Sequence, residues 1–149
     1  MKQITSEIVD INTTVEKFER KVIDLENIYD EVNKIIPQGD MKKVKVEKLN
    51  HQEAVFSTNL GKVSIVRKNY NKETHEVQYN IYAPGFSKLI LWVQSIPKEE
   101  NCTKVRLVLG YDTSLSPIGL MIRSLMKEEE VKNGLDLMVN MLKDHYSEK

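Results

Sequence analysis

Cysteine is almost missing from this chain: Cys102 stands alone among 149 residues. No intrachain disulfide can form, so packing must hold the fold, and the composition suits a reducing compartment such as the cytoplasm. Excess charge of either sign is missing too. Lysine plus arginine and aspartate plus glutamate each total 22, for a net charge of zero, which removes the electrostatic reason to expect a nucleic acid or an anionic membrane as partner. No apolar run approaches the roughly 18 residues of a membrane span, the longest candidate being the short stretch from Leu89 to Val93. The opening "MKQITSEIVD" lacks the apolar core of a secretory signal, so a cytoplasmic location is expected and the sequons at Asn12 and Asn101 have no consequence. There is no G-x-S-x-G, no Walker loop and no G-x-G-x-x-G. His51, His75 and His145 have no histidine, cysteine or carboxylate at metal-ligand spacing, and pairing Cys102 with one of them as a nucleophile would need a tertiary coincidence. The expectation is no metal and no cofactor.

What is present is an ordinary globular composition, 40% hydrophobic and 30% charged, in a length that fits one domain, 1–149, with a sizeable core. Gln3 to Ile11 reads as a strand with Ile8, Val9 and Ile11 as its apolar members. Thr13 and Glu16 fit a capping box. Val15, Phe18, Val22 and Leu25 then share one helical face, and Ile28, Tyr29 and Val32 continue into a second short helix. Pro37 and Gly39 end this region.

From Lys42 the period changes from 3.6 to 2. "KKVKVEKL" is a strand whose lysines at 42, 43, 45 and 48 suit a sheet edge, where they discourage edge-to-edge pairing. "QEAVFSTNLGKVSIVRKNY" gives two strands around a turn near Asn59 to Lys62. After the polar turn Asn71 to Thr74, Val77, Tyr79 and Ile81 share a face. Pro84-Gly85 breaks that strand. "KLILWVQSI" is apolar on both faces, which predicts a central strand covered on both sides; its pattern leaves open which face Trp92 occupies. Val105, Leu107, Leu109 and Tyr111 line one face of the last strand. Six strands in a row joined by short turns predict an antiparallel meander.

Ser116 and Pro117 begin a C-terminal helix that runs to Tyr146. At about 100° per residue, Ile118, Met121, Ile122, Leu125 and Met126 form one apolar cluster. Leu135, Met138, Val139, Leu142 and Tyr146 form another, rotated by roughly a quarter turn. The rotation falls across "KEEEVKNG". It predicts a kink near Asn133-Gly134, a winding path, or two separate helices. Glu129 projects onto the first stripe, where it would face the core unless the stripe has already turned; Glu128 and Glu130 read as surface charges that pair with Lys127 or Lys132. Four of the methionines, Met121, Met126, Met138 and Met141, lie in this segment and suit an adaptable apolar wall as well as ordinary core filling.

The order strand, two helices, six strands, long helix resembles the START-like, or SRPBCC, superfamily. The residues that carry the resemblance are the first strand followed by "TTVEKFERKV", the "IIP" after the second helix, the meander, and "SPIGLMIRSLM". It covers essentially the whole chain. It implies an α+β helix-grip fold, in which a curved antiparallel sheet of about seven strands wraps a long C-terminal helix, with two short helices after strand one. It also implies a cavity between sheet and helix for a small, mainly hydrophobic molecule, lipid-like or polyketide-like. The wall residues on this reading are Phe56, Ile65, Tyr79, Ile81, Trp92, Leu107, Leu109, Tyr111, Leu125, Met126, Glu129 and Met138. Tyr79, Tyr111, Trp92 and Glu129 would orient the ligand.

The superfamily spans lipid-transfer domains, birch-pollen-allergen-like proteins, polyketide cyclases and chaperone activators. Three functions follow as expectations. The first is non-catalytic ligand binding. The second is a cyclase, dehydratase or hydrolase that uses a cavity carboxylate, with Glu129 as its candidate. The third is an interaction module, a chaperone co-activator or homodimer with no ligand cavity.

Overall fold

The computed structural model describes residues 1–35, 45–59 and 61–147. The expected stop at Pro37 and Gly39, the Ile36-Pro37 step and the residues Lys42, Lys43, Val44 and Leu60 lie outside the described residues.

Two short strands come first, β1 (Lys2–Thr5) and β2 (Val9–Ile11), followed by α1 (Val15–Ile23) and α2 (Leu25–Ile35). The meander is β3 (Lys45–Leu49), β4 (Glu53–Thr58), β5 (Gly61–Asn71), β6 (Glu76–Tyr82), β7 (Phe86–Glu99) and β8 (Cys102–Thr113). Two helices close the chain, α3 (Pro117–Leu125) and α4 (Glu128–Tyr146). Among the described residues the strands form one curved antiparallel sheet of eight, in the order β1-β8-β7-β6-β5-β4-β3, with β2 also on β8. This is the α+β helix-grip arrangement. The lysine-bearing β3 is an edge, and there Lys48 pairs with Glu53 at 3.3 Å.

The first expected strand is two strands because of parity. Thr5 pairs with Val108 and Val9 with Val105, so residues 6–8 oppose only 106 and 107. Ile4 and Val9 are an odd number of residues apart, yet both are buried. An uninterrupted strand would turn one of them outward. The extra residue is a bulge. Ser6 anchors it: its amide donates to the Leu107 carbonyl (2.8 Å), and its hydroxyl accepts from the Leu107 amide (2.9 Å). Ile8, expected among the apolar members, is therefore expelled to 54% exposure.

The expected Thr13–Glu16 capping box does not form. Thr13 is buried and its carbonyl accepts from the Thr103 hydroxyl (2.9 Å), so it is committed to β8. Thr14 caps α1 instead, its side chain accepting from the Lys17 amide at 3.2 Å. Val15, Phe18 and Val22 turn inward. Phe18 and Val22 join Leu135 and Val139 of α4 in the core between helices and sheet, where Tyr146 packs edge-on against Phe18 with ring centroids 6.0 Å apart.

β7 is central, between β6 and β8. It is not covered on both sides as expected. Val93 and Ser95 are buried on the inner face, while Ile96 on the outer face is 53% exposed. Trp92 belongs to that outer face: its ring lies where a side chain on Gly110 would be, and its indole N–H donates to Gln78 (3.3 Å) directly across the β6–β7 pair.

The rotation of the C-terminal stripe is a break into two helices. Met126 and Lys127 adopt extended backbone between α3 and α4. The break is not at Asn133-Gly134, which lies inside α4. Two extended residues re-aim the chain, so α3 turns Ile118, Ile122 and Gly119 toward the β6–β7 turn while α4 turns Leu135 and Val139 into the core. Among the described residues no helix is long and apolar enough to cross a membrane.

Candidate functional site

The inner face of a curved sheet diverges from a straight helix laid across it, and the divergence leaves space. Here it leaves a cavity of about 260 Å³. The sheet supplies Ile65, Tyr79, Ile81, Leu91, Val93 and Leu107. The C-terminal half of α4 supplies Met138, Met141, Leu142, His145 and Tyr146, and the α1–α2 corner supplies Val22, Leu25 and Ile28. The surface these residues turn to the cavity is apolar. Met138 and His145 are exposed and mark its mouth, whereas Tyr79, Val93 and Leu107 are buried.

Tyr79 lines the cavity with its ring, and its hydroxyl is sealed within the wall. Its side chain is 3% exposed, and its hydroxyl has no hydrogen-bond partner. Burial pushes its pKa well above the ordinary tyrosine value, only partly offset by the Arg67 charge nearby. The phenol therefore stays protonated. Arg67 sits directly opposite Tyr79 across the β5–β6 pair, but its guanidinium donates to the Ile23 carbonyl at the end of α1 (2.8 Å). It is thus committed to a helix C-terminus, where a cation is favoured, and does not line the cavity.

Five of the twelve residues expected in the wall are brought together here: Ile65, Tyr79, Ile81, Leu107 and Met138. Tyr111 and Met126 line a different, more polar cleft of about 340 Å³ beside the α3–α4 break, together with Lys2, Asp112, Thr113 and Arg123. Leu109 packs at the margin of the core, and Phe56 stacks on Tyr29 with centroids 6.0 Å apart. Trp92 faces outward, and Leu125 is 68% exposed. Glu129 is exposed and lines neither space. The neighbouring Glu128 pairs with Lys2 across the sheet edge rather than along the helix, and Lys132 pairs with Asp136 at 3.0 Å.

Sequence reasoning missed the α1–α2 corner and the far end of α4. The signals existed, since Val22, Leu25 and Ile28 form one apolar face and Leu142 and Tyr146 belong to the second stripe.

It also missed Glu19, a carboxylate in the middle of the apolar face of α1, four residues after Val15 and three before Val22. Glu19 is buried, accepts a hydrogen bond from the Tyr70 hydroxyl and lies 2.6 Å from Nδ1 of His75. Burial and then the Glu19 hydrogen bond push the Tyr70 pKa up to about 12. Neither Glu19 nor any other carboxylate lines the apolar cavity among the described residues.

His51 likewise has neighbours that its sequence context did not reveal. Its Nδ1 lies 2.9 Å from Asp24 and 3.7 Å from Glu26. These three are residues whose ligand atoms converge within 4.8 Å, a possible cation holder in chemical type. As it stands, the imidazole itself is the counter-ion. The hydrogen bond and charge of Asp24, then the charge of Glu26, hold the His51 pKa above its ordinary value. Partial burial disfavours the charged form of Asp24, but the bonds from His51 and the Glu26 amide outweigh it, so the Asp24 pKa is lowered.

No protein-family profile matches the sequence, and no curated protein matches it. Solved structures do match its shape. A point mutant of norcoclaurine synthase from Thalictrum flavum in complex with a transition-state analogue superposes with a TM-score of 0.67 at 7% identity, over 96% of this chain and 92% of that one. The same plant's enzyme in complex with dopamine and hydroxybenzaldehyde gives 0.63 at 8% identity, over 99% and 89%. A START superfamily protein from Mycobacterium smegmatis gives 0.59 at 10% identity, over 97% and 96%. At these identities the likeness is one of fold.

Proposed function

We propose that this chain, which has the START-like helix-grip fold, binds a small, mainly hydrophobic molecule between its sheet and α4. One observation carries the reading: an apolar cavity of about 260 Å³ reaches from the exposed Met138 to the buried Tyr79. An apolar cavity of about 150 Å³ accommodates a benzene ring, so this one suits a ligand of one or two rings or a short branched chain. Burial of apolar surface, at about 25 cal/mol per Å², supplies the affinity. The complex of norcoclaurine synthase with dopamine and hydroxybenzaldehyde agrees with a ligand of that size in this fold.

The enzyme alternative has less support. It requires a carboxylate in the cavity, and the wall has none among the described residues.

The test is a titration with N-phenyl-1-naphthylamine, a neutral fluorophore that brightens in apolar surroundings. Saturable binding is expected from the native chain. Ile81→Trp combined with Met141→Trp fills the space and should abolish binding while the far-ultraviolet circular dichroism is unchanged. Absence of saturation in the native chain would reject the reading.

A second reading, an interaction module, has one observation in its favour. Leu115, Leu120, Met121 and Leu125 around α3 are between 49% and 86% exposed. Sedimentation of the native chain against Leu120→Glu/Leu125→Glu separates the two readings, since only self-association through α3 predicts a change of mass.

A further inference from the structure

The polar cleft beside the α3–α4 break has donors in its wall that the fold does not use. Lys2 and Tyr111 are direct partners across the β1–β8 pair. Residues opposed in this way turn their side chains to the same face, with Cβ atoms about 4.5–5.5 Å apart. Both line the cleft of about 340 Å³, and Arg123 reaches it from α3.

Tyr111 is only 8% exposed, and its hydroxyl has no hydrogen-bond partner among the described residues. Unlike the hydroxyl of Tyr79, it is not sealed. It also lies on the Lys2 side of the ring. The Glu128 hydrogen bond is the main cause that raises the Lys2 pKa, and the Tyr111 oxygen is near enough to add to it. A buried phenol therefore offers an unused donor to the cleft, next to an ammonium group.

The charges of the wall are unequal. Asp112 lies 3.6 Å from the Met1 amine, and Glu128 pairs with Lys2. Arg123 pairs with no acid among the described residues, so its charge is left over. One uncompensated cation calls for a monoanion. The planar fork of a guanidinium matches a carboxylate with two parallel hydrogen bonds. Met126 supplies an apolar surface in the same wall. A space of about 150 Å³ takes a benzene ring, so the cleft holds more than the charged group alone.

We propose that this cleft is a second binding site, for a small organic carboxylate: Arg123 grips the carboxylate, the Tyr111 hydroxyl and the Lys2 ammonium donate to it, and the apolar remainder rests on Met126. The site is independent of the apolar cavity. Leu109 stands between Leu107 and Tyr111 on the same face of β8 and lines neither space.

The experiment titrates the isotopically labelled chain with benzoate, benzamide and inorganic phosphate and follows the backbone amide resonances. Benzoate should give saturable shifts confined to β1, the end of β8 and the α3–α4 break, and added salt should weaken it. Benzamide has the same shape without the charge and should bind about tenfold more weakly, or less. Arg123→Gln should weaken benzoate by about tenfold, the factor that one charge-assisted hydrogen bond carries. Tyr111→Phe keeps the ring that packs edge-on against Phe86 and should weaken benzoate about fivefold. Resonances away from the cleft should stay native in both variants, which separates loss of a donor from loss of the fold. Equal binding of benzoate and benzamide, or benzoate binding that Arg123→Gln leaves unchanged, overturns the proposal. Phosphate that binds more tightly than benzoate shows the carboxylate class to be wrong. Shifts that fall elsewhere, or no saturation with any probe, remove the site altogether.

Discussion

Nδ1 of His75 lies 2.6 Å from the carboxylate of Glu19, and the pair fastens α1 to the turn between β5 and β6. The backbone is arranged for this contact. His75 adopts a left-handed conformation (φ 53°) that costs a non-glycine residue about 1–2 kcal/mol. Its carbonyl is held by the amide (3.0 Å) and hydroxyl (3.2 Å) of Ser95. A glycine would fit the backbone better but could not reach Glu19. Replacing Glu19 by alanine leaves His75 and Tyr70 without their acceptor, and the expected loss is roughly 2–4 kcal/mol, measurable by urea unfolding. Tyr70→Phe removes a single bond to the same carboxylate and should cost less. Equal stability of native chain and Glu19→Ala would refute this role.

The Asp24–His51 pair has a defined pH window. The pKa of His51 is raised above 6.5 in the folded chain, so its contribution is complete below that value and is lost as pH rises through the higher folded pKa. The pKa of Asp24 is lowered from 3.8, so its contribution is present above that value and is lost as pH falls through the lower one. The Tm difference between the native chain and His51→Gln should therefore be greatest between pH 3.8 and 6.5. It should vanish in mildly alkaline buffer. The pair is solvent-exposed on the His51 side, so added salt should shrink the difference. A difference that grows with pH would contradict the assignment.

Two glycines should respond in opposite directions. A side chain at Gly134 would meet nothing within 4 Å. Gly134→Ala should therefore stabilise α4 by about 0.5–1 kcal/mol through helix propensity alone. Gly85 has φ +91°, and a Cβ there would collide with Ile122 and Ile118 of α3. Gly85→Ala should cost roughly 2–4 kcal/mol, from left-handed strain and overpacking together. Thermal denaturation of both variants tests this, and a destabilising Gly134→Ala would show that Gly134 has a packing role after all.

Tyr79→Phe carries a prediction for the unliganded chain. Removing a buried hydroxyl that has no partner should raise stability by about 1–2 kcal/mol. Differential scanning calorimetry in the absence of ligand reads it directly, and a lower Tm would mean that the hydroxyl is already satisfied.

Much of the fold was legible because periodicity is local. The change from 3.6 to 2 near residue 42 announced the meander, and Val77, Tyr79, Val105 and Leu107 were on the correct face by alternation. The bulge at Ser6 was readable in principle, since Ile4, Val9 and Ile11 cannot share a face without it. The helix break was visible only as a rotation, because a hydrophobic stripe records average direction and not the two residues where the backbone departs from it. Gly134 drew attention as a poor helix former, yet the break occurs at Met126 and Lys127, which have no such signature.

The candidate site was legible in part. Tyr79 and Tyr111 look alike to alternation, each on the inner face of its strand. They nevertheless line separate spaces. Trp92 and Glu129 were ambiguous for related reasons. A strand apolar on both sides does not say which side meets the helix, and a helical projection holds only while the helix is continuous.

The sequence by itself determined the order of elements, the antiparallel meander, the identity of most inward-facing residues and the lack of an excess charge. These follow from patterns a few residues long. Only the tertiary structure decided that α4 lies so as to enclose Tyr79 but not Tyr111, that Glu19 meets His75 and Asp24 meets His51, and that one tyrosine hydroxyl is sealed in without a partner. Each depends on where distant segments cross in space, and a crossing is set by the curvature of the whole sheet and the re-aimed helix rather than by any neighbouring residue.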